Sequence, residues 1–416
     1  MKKFWFQIHW LLGISAGLVL MVMGVSGAVL SFEHDLLEWL NPGVMTVTPC
    51  PEGPLSPHEL VTRIQSASPE KRVIGLQFSS APMAAARVNF ASSATGPSER
   101  GQSTKQTELD KNQEQPGTTV RDGQRRSERQ RGGSRRGEWR YVDPYTAALL
   151  GEPRGQEFFR FMTELHRWLA LGELVKAITG VSTVAFVVLC LSGLYLRWPR
   201  RIWNWRAWLR INFALRGRSF LWHLHAISGT WVLPLYLLAG LTGLFWSYEW
   251  YRAGLFALTG APPPNRERIV LDAPVTEPPH LTTIWTTFLR EVGKFKTVNV
   301  SLPERPTQAL EIRYLEDRPA HDRAFSQLVL HPTTGAVMRH DRYAERPFGV
   351  KLVNSMFVLH SGSFFGVVGW ALMMAASLVM PLFAITGWQL YLARRTRKRA
   401  SLIDLIGSEK LKNADA

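Results

Sequence analysis

The stretch HWLLGISAGLVLMVMGVSGAVLSFEH, residues 9–34, decides how the rest of the chain is read. It is apolar over a length that crosses a membrane, since a hydrocarbon core of roughly 30 Å takes about 20 helical residues. It also recurs. His9 is followed by Gly13, Gly24, Gly27 and Glu33 at +4, +15, +18 and +24, and His225 is followed by Gly229, Gly240, Gly243 and Glu249 at the same four offsets. A second pair of segments matches in the same way. Ser192-Gly193 lies 26 and 27 residues after the histidine of Leu165-His166, and Thr386-Gly387 lies 26 and 27 after the histidine of Leu359-His360. The pattern predicts an internal duplication of one unit: span, outside domain, span.

Working outward, four apolar blocks stand near residues 8–32, 174–196, 220–246 and 364–392, with polar segments between them. The expected fold is an all-α four-helix membrane bundle with two periplasmic α+β domains. Its segments are transmembrane helix 1 at 1–34, a first outside domain at 35–160, transmembrane helix 2 at 161–198 and a basic loop at 199–219. Transmembrane helix 3 at 220–250, a second outside domain at 251–350, transmembrane helix 4 at 351–393 and a tail at 394–416 complete the chain. Lys2 and Lys3 precede the first block, but the block is too long for a signal-peptide core and no small-x-small cleavage site follows, so it reads as a retained anchor.

The 416 residues are 46% hydrophobic and carry a net charge of +16. That uneven distribution excludes a purely soluble protein, and four blocks exclude a transporter of ten or more spans. Sixteen Trp suit a chain with indoles at the lipid boundary. Two Cys, one outside and one in a span, exclude a disulfide scaffold and a Cys-rich metal site, and no Cys50–Cys190 bond is expected. The positive charge is local: residues 197–219 hold seven Arg and no acid, and Arg394, Arg395, Arg397, Lys398 and Arg399 open the tail. Short basic segments stay on the cytoplasmic side. The sequence therefore predicts a bacterial inner-membrane protein with both termini cytoplasmic and both long connections outside. Nucleic acid is not an expected partner, because no basic patch sits on a recognisable binding fold.

Outside, Ser56-Pro57-His58-Glu59-Leu60-Val61 opens a helix that leads to a strand over Val73–Phe78. Residues 91–138 lose nearly all hydrophobic side chains, and disorder is their expected state. The second outside segment reads as a helix over Leu281–Val292 and strands over Thr297–Leu302, Ala309–Leu315 and Ala324–Leu330.

The repeat singles out four histidines. On a helix the offsets +4, +15 and +18 fall at about 40°, 60° and 0° from the starting residue. His9 and His225 thus share a face with their glycines, which leaves either a trough for a flat macrocycle or a surface for close helix packing. For Gly193 and Gly387 the angle from His166 and His360 is near 180°, and that argument does not apply. Imidazole inside a membrane bundle is usually functional, and it is a standard axial ligand of haem iron. His9 and His225 lie at matching cytoplasmic depth, His166 and His360 at matching outside depth, so two b-type haems are expected, one per pair. His223 is the second choice on the inner side and His34 on the outer side, although the repeat counterpart of His34 is Trp250. Candidate cations for haem carboxylates are Arg160, Arg167 and Lys176 outside, and Lys2, Lys3 and Arg218 inside. The remaining five, His58, His280, His321, His331 and His340, read as solvated surface residues.

At these residues the sequence resembles the PepSY-associated transmembrane family, which includes bacterial inner-membrane siderophore reductases and iron-regulated membrane proteins. The resemblance rests on His9-Trp10-Leu11-Leu12-Gly13, Leu165-His166-Arg167-Trp168-Leu169, His225 with Gly229, Leu359-His360-Ser361-Gly362, Leu191-Ser192-Gly193-Leu194 and Ile385-Thr386-Gly387-Trp388. It extends to Val142-Asp143-Pro144-Tyr145-Thr146 and His331-Pro332-Thr333-Thr334-Gly335, which look like the closing strand and turn of PepSY units. Ala147 departs from the pattern, standing where the first turn would carry Gly. The resemblance implies a haem-mediated oxidoreductase that reduces ferric siderophore or another ferric chelate in the periplasm. Its electrons would come from a cytoplasmic reductase or membrane quinol, with the Arg- and Trp-rich loop 198–218 read either as a donor's docking surface or as an interfacial segment. The rival expectation is a cofactor-free membrane protein whose PepSY-like domains bind or regulate an envelope peptidase or other protein.

Overall fold

The computed structural model describes residues 1–91, 137–172, 175–199, 201–262 and 269–414, with side chains as far as residue 397. The expected insertion at 91–138 lies, apart from its ends, outside the described residues.

Helix α1 (Lys2–Leu30) is followed at once by α2 (Glu33–Leu40). Helix α3 (Pro57–Ala67) begins at a capping box: the Ser56 hydroxyl accepts from the Glu59 N–H, and the Glu59 carboxylate accepts from the Ser56 N–H at 2.9 Å. Strands β1 (Val73–Ser79), β2 (Ala86–Phe90) and β3 (Glu138–Val142) follow. The chain returns through α4 (Gln156–Trp168) to α5 (Lys176–Arg197), then through the short α6 (Trp205–Leu209) to α7 (Gly217–Ser247). Then come α8 (Glu249–Thr259), α9 (Leu281–Val292), β4 (Phe295–Ser301), β5 (Leu310–Glu316), β6 (Ser326–Leu330) and β7 (Val337–Asp341). Helices α10 (Phe348–Asn354), α11 (Met356–Ser361) and α12 (Gly366–Ala414) close the described chain.

Among the described residues four helical segments are long and apolar enough to cross a membrane: α1, α5, α7 and the stretch Ser363–Arg397, which includes the first part of α12. Helix α1 packs on α5 and α12, and α7 packs on the same two, so α1 and α7 stand at opposite corners of the bundle. Small residues let the helices close up. A Cβ on Gly24 would lie 2.6 Å from the Met380 Cβ, and one on Gly240 would lie 2.9 Å from Val187 Cγ2. Between those contacts Phe186 and Tyr236 are buried, and the Tyr236 hydroxyl donates to the Ala376 carbonyl at 2.8 Å.

Two boundaries differ from the sequence reading. The segments expected as single helices over 161–198 and 351–393 are each broken on the outside. Leu169 and Ala170 have φ of 50° and 56° and stop α4 before the span begins. Gly362 and Gly366, at φ of 80° and 68°, separate α11 from α12. A left-handed residue ends a helix by turning the chain off its axis. His166 and His360 therefore sit on short outside helices, not on the spans themselves.

The outside strands also differ from two separate domains. All seven form one antiparallel sheet in the order β3-β2-β1-β4-β5-β6-β7. The seam is β1 against β4, with Leu76 opposite Val300 and Phe78 opposite Val298. A three-stranded sheet ending at β1 would expose a row of backbone N–H and C=O groups; pairing with β4 removes that edge. Helices α3 and α9 cover one face together, and Leu60, Ile64, Ile284 and Phe288 bury against Leu76 and Ile312 in a single core. Truncating Phe288, fully buried there, would cost about 3–5 kcal/mol. At the turn after β3, Ala147 takes φ of 67°, where its counterpart after β6, Gly335, takes 69°. The alanine holds that conformation at a cost of roughly 1–2 kcal/mol.

Candidate functional site

The bundle brings the four repeat-related histidines together as two pairs. His9 on α1 and His225 on α7 face across the diagonal with ring centroids 6.3 Å apart and ring planes at 78°. His166 on α4 and His360 on α11 stand 6.2 Å apart at 70°. All four rings are partly or largely shielded from solvent.

Hydrogen bonds fix the tautomer of each ring. His166 Nδ1 lies 2.8 Å from the Met23 carbonyl, and His360 Nδ1 lies 3.1 Å from the Ala239 carbonyl. A carbonyl only accepts, so both Nδ1 atoms carry the proton. Ser26 and Thr242 hydroxyls add a second acceptor at 3.4 and 3.0 Å. For the inner pair, His9 Nδ1 meets Ser192 Oγ at 2.9 Å and His225 Nδ1 meets Thr386 Oγ1 at 2.7 Å. Those hydroxyls already donate to the carbonyls one turn back, Val188 and Leu382, each at 2.6 Å. They can only accept from the imidazole, which again places the proton on Nδ1. Among the described residues no hydrogen bond reaches the Nε2 of any of the four rings, and each keeps its lone pair there.

Glycine backs every ring. A Cβ on Gly27 would sit 3.0 Å from His166 Cε1, and one on Gly193 would sit 3.2 Å from His9 Cε1. The corresponding distances are 3.5 Å from Gly243 to His360 and 4.0 Å from Gly387 to His225. The glycine face of α1 and α7 thus splits. Gly24 and Gly240 serve helix packing, while Gly27 and Gly243 cradle the outer rings and not the histidine on their own helix. Gly193 and Gly387, which the helical wheel sets apart from His166 and His360, cradle the inner pair.

A donor set of two neutral imidazoles, each with a free Nε2 lone pair, suits a metal bound between them. With metal–nitrogen bonds of roughly 2 Å, the two ring centroids would stand about 6 Å apart, which the observed 6.3 and 6.2 Å match. The acceptors that hold each Nδ1 proton are what such ligands need for orientation and basicity. Among the described residues no group of three or more His, Cys, Asp or Glu could hold a bare metal ion. Two-point axial ligation of a macrocyclic metal is the chemistry these pairs fit.

The other candidates fall elsewhere. The His34 side chain is 79% exposed, with Nδ1 3.5 Å from Glu38. His223 donates Nε2–H to the Arg210 carbonyl at 3.1 Å. Arg160 pairs with Glu157 at 3.7 Å and Arg167 stacks on Trp168, while Lys2, Lys3, Lys176 and Arg218 are exposed. Cys50 and Cys190 are both free. The hydroxyl anchors escaped the sequence reading, although Ser192 and Thr386 stand beside the recurring glycines, and Ser26 and Thr242 both lie 17 residues after a histidine.

His321 is not a surface residue. It is 7% exposed, and its Nδ1 accepts from the Arg323 N–H at 3.1 Å. Its Nε2–H faces Tyr343 Oη at 2.8 Å and Ser355 Oγ at 3.0 Å. Burial lowers its pKa below the usual imidazole value, partly opposed by Asp322. Ser355 immediately precedes α11, so this contact ties the β5–β6 connection to the helix that carries His360.

Compared with known proteins, the chain matches the family model described as the PepSY-associated TM region over residues 6–394. No curated protein matches it. The chain is a membrane protein with four candidate spans, and it belongs to the PepSY-associated transmembrane family.

Proposed function

Taking that membership as premise, we propose that the protein is a di-haem electron carrier of the bacterial inner membrane that reduces ferric siderophore or another ferric chelate on its outer side. His9 and His225 would hold the inner b-type haem, and His166 and His360 the outer one. The observation that carries this reading is the pair of matched diads, each with Nδ1 protonated against a fixed acceptor and Nε2 free. Held there by His9 with His225 and by His166 with His360, haem would supply one-electron exchange.

The chain's own residues hold geometry and protonation steady. Ser192 and Thr386 keep the inner rings in one tautomer. Met23 and Ala239 do the same outside, and the glycines at Cε1 leave each ring room to sit against its neighbouring helix. No protein group has to gain or lose a proton as an electron passes. Duplication of a span–domain–span unit accounts for the matching of both diads. The basic segments at 197–219 and after residue 393 support cytoplasmic termini, which puts the inner diad nearest a cytoplasmic reductase or membrane quinol as donor. Reduction of Fe(III) to Fe(II) weakens binding by hard oxygen ligands and frees the metal.

The test is the visible spectrum and haem content of detergent-purified protein. Two haems per chain, with a Soret band that sharpens and shifts on dithionite, is the expected result. A colourless preparation from haem-replete cells would overturn it and favour a cofactor-free protein that engages an envelope partner.

A further inference from the structure

The segment between α5 and α7 is held as a strap. The Arg197 guanidinium donates to the Ala207 carbonyl. Trp231 Nε1 donates to the Leu209 carbonyl at 3.1 Å, and His223 Nε2 donates to the Arg210 carbonyl at 3.1 Å. Trp208 Nε1 closes the strap on itself through the Ile202 carbonyl at 2.9 Å. Three backbone carbonyls, on and just past α6, are thus pinned to α5 and α7. A freely solvated loop would hydrogen-bond those carbonyls to water.

What the strap presents outward has two parts. One is apolar: Ile202, Trp203, Trp205, Trp208 and Leu209 line a cleft of about 330 Å³ against Thr230 of α7. Trp203 is 81% exposed and Trp205 68%. The other is cationic. Arg201, Arg206, Arg210, Arg216 and Arg218 are exposed, and among the described residues none has a carboxylate within ion-pair distance. Residues 197–219 contain no acid that could serve. Exposed indoles at the end of a span belong at the lipid–water boundary. Guanidinium groups there match phosphate oxygens in charge and in fork geometry. An unpartnered cationic rim around an apolar cleft is complementary to a molecule that is anionic at one end and hydrocarbon at the other.

We propose that the strap is a binding site for an anionic phospholipid of the cytoplasmic leaflet, with Arg206 and Arg210 on its phosphate and an acyl chain along the Trp203–Trp205 cleft. Arg210 directly follows α6, and its backbone N–H donates to the Arg206 carbonyl at 3.1 Å, so the two arginines stand one turn apart. The site does not depend on the haem reading.

Native mass spectrometry of the full-length protein in detergent, titrated with phosphatidylglycerol and in parallel with phosphatidylcholine, tests this. The wild-type chain should retain phosphatidylglycerol in preference. The double variant R206Q/R210Q should bind it at least roughly tenfold more weakly, while R395Q/R397Q, which removes the same charge from the tail, should bind as the wild type does. Trp203→Ala should weaken both lipids. Equal retention of the two lipids would overturn the proposal. So would a tail variant that loses as much as the strap variant, or full displacement of lipid by inorganic phosphate.

Discussion

The inner and outer histidine pairs have nearly the same separation, 6.3 and 6.2 Å, but are built by different means. Inner rings stand on the spans α1 and α7, and their Nδ1 protons end on hydroxyls of the other two spans. Outer rings stand on short helices outside the spans, and their Nδ1 protons end on backbone carbonyls of α1 and α7, with a hydroxyl as second acceptor. A hydroxyl can be deleted by one substitution, whereas a carbonyl cannot. The inner pair is therefore exposed to tuning through side chains, and the outer pair through the backbone and the sheet domain that positions its helices.

The largest expected effect removes a pair outright. His225→Ala should take haem content from two per chain to one, His166→Ala should do the same, and the double variant should contain none, by pyridine haemochromogen assay. Haem surviving in the double variant would break the assignment of both pairs. Next come the glycine cradles. Gly27→Ala puts a methyl 3.0 Å from His166 Cε1, so the ring has to move, and the outer haem should be lost to a haem acceptor roughly tenfold faster. Gly387→Ala has 4.0 Å of room beside His225 and should leave the inner haem unchanged. A reversed order would show that the cradles do not set ring position.

The hydroxyl contrast is sharper but smaller in its difference. Thr386→Val strips His225 Nδ1 of its one hydrogen-bond acceptor among the described residues, and inner-haem affinity should fall by roughly tenfold. Thr242→Val leaves His360 the Ala239 carbonyl, and the outer haem should weaken less. Equal losses would erase the distinction between the two designs. The smallest effect is acid sensitivity confined to the outer side. His321 is held neutral, its folded pKa below the unfolded value near 6.5. Its contribution to stability is full above that value and is lost as pH falls through the folded pKa. Once exchange is corrected for the intrinsic rate at each pH, protection in α10 and α11 should be lower at pH 5 than at pH 7.5, with protection in α5 unchanged. A uniform response would separate His321 from the outer pair.

The diads were legible because they recur: the same offsets after His9 and His225, and after His166 and His360, place equal side chains at equal depth. The anchors were not, for a reason in the method of comparison. A helical wheel relates a residue to its own helix, and Gly193 lies nearly opposite His166 on such a wheel. In the bundle it lies against His9 of a neighbouring helix. The breaks at Leu169–Ala170 and Gly362–Gly366 lie at the margins of the apolar blocks, where the sequence reading ran the helical histidine segments straight into the spans. Strand β2, ARVNF, alternates for only five residues and gave no reading of its own. The β1–β4 seam joins residues more than two hundred positions apart, such as Leu76 and Val300. No local pattern encodes that pairing, whereas the strands on either side of it are plain in their alternation.

That seam sets a timetable for biosynthesis. When β1 through β3 have been made, β4 has not yet been translated, and two further candidate spans lie between them. At about 5–20 residues per second the interval is roughly eight to thirty seconds. Throughout it the nascent half-sheet carries a bare strand edge and a half-covered apolar face. Such a chain is a natural client for chaperones, and its yield on overexpression would be limited by their supply.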